Sequence, residues 1–140
     1  MSINIKRMII GAIAATVFSL VFAMVTCGGI FSWVYELEPT NVWKPMADTG
    51  PGPQFMIGSY LLTVVLAFVY AFINKGIPGK NRFIKGAIFG VIVWAVGMLP
   101  GMLATHSFMT VASTVVVYWT IVGFVELSVK GLIIAAIYGE

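Results

Sequence analysis

The stretch Arg7-Met8-Ile9-Ile10-Gly11-Ala12-Ile13 returns as Arg82-Phe83-Ile84-Lys85-Gly86-Ala87-Ile88, with five of its seven residues unchanged. Each copy opens a long apolar run just after basic residues, the pattern of a chain that enters a membrane twice from the same face. Outward from these two points the sequence offers apolar runs at about 8–31, 55–73, 83–105 and 115–138. Each approaches or exceeds the roughly 20 residues that cross about 30 Å of hydrocarbon. Residues 1–140 therefore read as one integral membrane domain, an all-α bundle of four transmembrane helices, with an outer loop at 32–54 and a cytoplasmic loop at 74–82. The repeat is compatible with a parallel duplication of a two-helix unit, although the second helices share only a short echo, Phe68-Val69-Tyr70-Ala71 against Ala136-Ile137-Tyr138-Gly139.

Composition excludes a soluble domain: 60% hydrophobic and 9% charged residues leave too little polar surface to cover 140 residues. The runs are also continuously apolar and too long for the alternating strands of a barrel. Lys6, Arg7, Lys75, Lys80, Arg82 and Lys85 fall before the first helix or between the second and third, whereas Glu36, Glu38 and Asp48 outnumber Lys44 in the long loop. That partition predicts an N-in, C-in topology. The net charge of +3 follows from it, and no basic stripe interleaved with aromatics points to nucleic acid. Lys6-Arg7 with Cys27 also has the outline of a cleaved lipoprotein signal. The apolar run exceeds a signal core, however, and Met24-Val25-Thr26 lacks the small residue expected before a lipidated cysteine. A single cysteine forms no internal disulfide.

Small residues predict where helices meet. Gly86-x-x-x-Gly90 and Gly97-x-x-x-Gly101 allow close backbone approach on helix 3, and Ala12, Thr16, Ser19, Ala23 and Thr26 form a stripe on helix 1. Helices 1 and 3 are thus expected at the centre, with a homo-oligomer as the other use of the same motif. Pro100 predicts a kink, and a possible hinge, between Gly97 and Gly101. Prolines 39, 45, 51 and 53 forbid a regular helix through the outer loop, whose Trp33, Tyr35 and Trp43 suit the headgroup region.

Glu126 and Lys130 are the ionisable residues deep inside a span, four apart and hence on one helical face. A charge at the helix centre costs about 3 kcal/mol on insertion scales, so the pair is expected to face protein. Three roles fit: an internal ion pair, a proton- or cation-coupled site, or docking to a partner subunit. Soft ligands also gather toward the outer side, namely Met24, Cys27, Met46, Met56, Met98, Met102, His106 and Met109. Among them Cys27, Met98, Met102 and His106 suit Cu(I) by ligand type, with apolar filling as the competing explanation. No haem, zinc, nucleophile-elbow or phosphate-loop pattern occurs, so no catalytic residue and no cofactor is expected.

Lys85-Gly86-Ala87-Ile88-Phe89-Gly90, Trp94 and Pro100, together with Arg7 through Thr16, resemble small uncharacterised four-helix membrane proteins of bacteria and archaea. The resemblance implies a prokaryotic inner membrane and carries no activity. The expected function is a non-enzymatic accessory or interaction subunit of a membrane assembly. The alternative is a small oligomeric transporter or channel using Glu126.

Overall fold

The structure, a computed structural model, describes residues 3–44 and 52–139; Met46 and the rest of 45–51 lie outside the described residues. α1 (Ile5–Val25) continues through a π-helical turn (Thr26–Ile30) and a short 3-10 helix (Ser32–Glu36). α2 (Pro53–Ile73) comes next, then α3 (Arg82–Val93), a second π turn (Trp94–Met98), α4 (Leu99–Phe108) and α5 (Ser113–Tyr138). The described residues contain no strand. Four spans, Ile5–Ile30, Pro53–Ile73, Arg82–Phe108 and Ser113–Tyr138, are long and apolar enough to cross a bilayer, as in a multi-pass membrane protein. Side chains such as Leu62, Val96 and Leu103 point away from the bundle, which an apolar surrounding tolerates and water does not.

Local chemistry fixes the helix starts. Asn4 accepts from the Arg7 amide at 3.1 Å and Asn81 from the Ile84 amide at 2.9 Å, satisfying donors that the first turns of α1 and α3 leave free. Pro53 starts α2 where its missing amide costs nothing. The spans alternate in direction, so Lys6, Arg7, the 74–81 connection and the end of α5 share one end of the bundle, the basic end. There Arg7 donates to the Tyr138 carbonyl at 3.4 Å, placing a cation at the C-terminus of α5. Ile77 drops from the connection into a core with Met8, Tyr70, Phe89 and Tyr138.

α5 is the centre of the bundle. It packs most extensively against α3, next against α1, and to lesser degrees against α4 and α2, while α2 rests chiefly on α1. This corrects the expectation that helices 1 and 3 form the centre; those two flank α5 instead. Gly11 and Gly86, the glycines shared by the repeated heptapeptides, meet α5 on neighbouring turns: a Cβ on Gly11 would lie 3.6 Å from the Ile134 Cα, and one on Gly86 would lie 2.5 Å from the Gly131 oxygen. The helix 1 stripe is buried at Ala12, Thr16, Ser19 and Thr26, with Ala23 half-buried.

The second π turn reorganises the glycine motif. Gly86 and Gly90 face α5, where an added Cβ on Gly90 would run into the backbone of Leu127 and Ser128. Gly97 and Gly101 have nothing within 4 Å of that position. In an unbroken helix Gly97 would lie within about 20° of the Gly90 face, seven residues on. The π turn carries an extra residue, seen in the Leu99 amide bonding to the Trp94 carbonyl, and so rotates the remainder of the span by roughly 100°. Met98 takes the inward position against Gly123 and the two later glycines turn outward. The discontinuity expected at Pro100 is this π turn, with the proline seated in the first turn of α4.

Candidate functional site

The charged pair sits at the middle of α5, Glu126 thirteen residues after Ser113 and twelve before Tyr138. Lys130 Nζ lies 3.5 Å from Glu126 Oε1, with the lysine side chain 10% exposed and the glutamate 27%. The burial of Lys130 follows from its neighbours in sequence. Gly131 meets the backbone of Gly86 and Gly90, and Gly123 receives Met98, so α5 is held tightly on either side of the pair. Sequence reasoning missed both α5 glycines. Their spacing of eight, with Leu127 midway, was the available signal for a second close-packing face.

A hydroxyl lies at the same level. Gly11 lies against Ile134, and Tyr118 Oη donates to Cys27 Sγ at 3.5 Å, so α1 and α5 run antiparallel with these residues opposed. Eight residues inward from either contact, the opposed positions are Ser19 and Glu126. Ser19 is buried, 4% exposed, and its Oγ has no hydrogen-bond partner. Seven other hydroxyls on the spans, those of Thr16, Thr26, Thr63, Thr105, Ser107, Thr120 and Ser128, donate to the carbonyl four residues back at 2.7–2.9 Å. Ser19 departs from that habit.

At the opposite end from the basic residues an aromatic cap closes over the start of α5. Trp119 Nε1 donates to Tyr35 Oη at 2.9 Å and Trp43 Nε1 to the Tyr35 carbonyl at 3.1 Å. The Tyr35 ring stands edge-on to Trp43 at 5.3 Å, and Trp43 edge-on to Trp119 at 5.9 Å. Tyr35 and Trp43 therefore serve protein packing, whereas Trp33 is 51% exposed. Burial, followed by the neighbouring Cys27 side chain, pushes the Tyr35 phenol well above its ordinary value near 10. The folded state thus holds this proton more tightly than the unfolded chain does. The corresponding stability is complete below pH ~10 and fades above it. On raising the pH, the phenolate absorbance of Tyr35, taken as the difference between the parent and Tyr35→Phe, should appear at higher pH in the folded protein than in the denatured chain.

The Cu(I) set does not assemble. Cys27 lies in the aromatic cap beside Tyr118, and Met98 packs on Gly123. Met102 and His106 line a groove of about 280 Å³ between α4 and α5, together with Leu99, Ser113, Val116 and Thr120. Tyr118 and Thr120, two residues apart on α5, project about 200° apart, which puts Cys27 and the groove on opposite sides of that helix. No group of three or more His, Cys, Asp or Glu residues suited to a metal occurs among the described residues.

No family model matches the chain, and neither the curated proteins nor the solved structures give a match.

Proposed function

We propose that this protein is a non-catalytic accessory subunit that docks a transmembrane helix of a partner against the face of the third span bearing Gly97 and Gly101. The observation that carries this reading is the outward rotation of those two glycines, which leaves a small-residue face with open space above it along the π turn and α4, neither of which has a buried residue. Small residues four apart let a second backbone come close enough to gain dispersion and weak hydrogen bonds, the main attraction between helices in lipid. The self-paired Glu126 and Lys130 support the same reading, because each has an in-chain counter-charge.

Charge and packing bear on placement and origin as well. The basic residues at one end of the bundle support an N-in, C-in orientation, and the resemblance to small prokaryotic membrane proteins supports an inner-membrane location. That Gly11 and Gly86 both lie against α5 supports an origin by parallel duplication.

A photo-crosslinking residue at Ala104 or Phe108, exposed positions three and seven residues after Gly101 on the same helical face, should give a discrete adduct in native membranes. The same probe at Leu62, on lipid-facing α2, should give none. Gly97→Leu and Gly101→Leu should each abolish the adduct while leaving the melting temperature unchanged, because their side chains enter open space. An adduct indifferent to both substitutions, or equally strong from Leu62, overturns the docking reading. An adduct of twice the chain mass identifies the partner as a second copy.

A further inference from the structure

We propose that Ser19, Glu126 and Lys130 form a hydrated proton-binding site at mid-span, in which an internal water joins the Ser19 hydroxyl to the charged pair. This site is separate from the docking face. It rests on three observations: a buried serine oxygen without a partner, its placement opposite Glu126 in the α1–α5 register, and a carboxylate more open than the ammonium it pairs with.

Leaving a buried hydroxyl unpaired is unfavourable, and Ser19 has an inexpensive escape in the carbonyl of Ala15, four residues back, the kind of bond that seven other span hydroxyls make, Thr16 among them in the buried interior. A water held here finds the two to four polar partners that internal waters need: it accepts from Lys130 and donates to Glu126, with Ser19 completing the set. Proton uptake then balances simply. Hydronium passes a proton to the Glu126 carboxylate, giving a neutral acid and a water molecule. Lys130, which loses its counter-charge, turns its donors to that water and to the Ser19 oxygen, so its hydrogen bonds are kept although the ammonium is no longer neutralised.

At this level the charged group facing Glu126 is Lys130, one turn along α5. The other packed spans carry Lys6, Arg7, Cys27, Tyr70, Arg82, Lys85 and His106 toward their ends, and Tyr60 three residues from the midpoint of α2. α1 contributes Ser19 and, toward the basic end, Thr16, whose hydroxyl is committed to the Ala12 carbonyl at 2.8 Å.

Infrared difference spectroscopy on the full chain in lipid nanodiscs tests the proposal. Lowering the pH should raise a carboxylic-acid carbonyl band that is displaced in Glu126→Asp, together with a water band sensitive to H₂¹⁸O. Ser19→Ala should lose the water band and shift the acid band to the frequency of an acid with fewer hydrogen bonds. Ser19→Thr, which keeps a hydroxyl, should keep both. Absence of an acid band assignable to residue 126, or identical acid and water bands in the parent and Ser19→Ala, overturns the proposal. A higher melting temperature in Ser19→Ala would likewise overturn it, because the hydroxyl would then be an uncompensated cost.

Discussion

Gly90→Leu lowers the unfolding free energy by about 3 kcal/mol or more, at the upper end of what overpacking does, whereas Gly97→Leu, in the same span and in a motif of the same spacing, changes it by less than about 0.5 kcal/mol. The difference lies in what each side chain meets. A Cβ on Gly90 lands in the backbone of Leu127 and Ser128, and backbone cannot swing aside as a flexible side chain does. Relief requires α3 and α5 to separate, which also opens the contacts of Gly86 and Gly131. A Cβ on Gly97 meets nothing within 4 Å. Unfolding in mixed detergent micelles, followed by circular dichroism, measures both. Equal losses in the two variants would mean that the third span is not rotated between Gly90 and Gly97.

The second large effect is an asymmetry within the charged pair. Glu126→Gln is expected to cost about 3 kcal/mol, because it leaves the Lys130 ammonium buried without a counter-charge. Lys130→Met is expected to cost less, roughly 1–2 kcal/mol, since the carboxylate it leaves is less buried than the ammonium. The double variant should recover at least half of the larger loss, giving a coupling energy that a double-mutant cycle reads directly. Strict additivity would show that the two side chains do not interact in the membrane.

The spans were legible because hydrocarbon thickness and apolar length constrain each other directly; 115–138 anticipates Ser113–Tyr138 within two residues. The centre of the bundle was not, because the sequence advertised small residues on helices 1 and 3, while Gly123 and Gly131 stood in a helix read chiefly for its charges. The outward turn of Gly97 and Gly101 could not be read from periodicity at all. A constant 100° step carries them onto the face of Gly90, and only the extra residue of the π turn removes them. The soft-ligand set failed for a related reason: residue type is visible in a sequence, but the two sides of α5 that separate Cys27 from His106 are not. Ser19 was seen as one member of a packing stripe, and its lack of a partner is a property of the packed helices alone.

The central place of α5 also orders events in time. Translation delivers α1 through α4 before α5, at about 5–20 residues per second, so the earlier helices spend several seconds in the bilayer without the element they pack around. Through that interval the buried stripe of α1 and the paired glycines of α3 face lipid or whatever helix is nearby. The packing of α1 on α2 is available before α5 is made, whereas the closure of Gly86 and Gly90 on one side of α5 and Gly11 on the other has to wait for it.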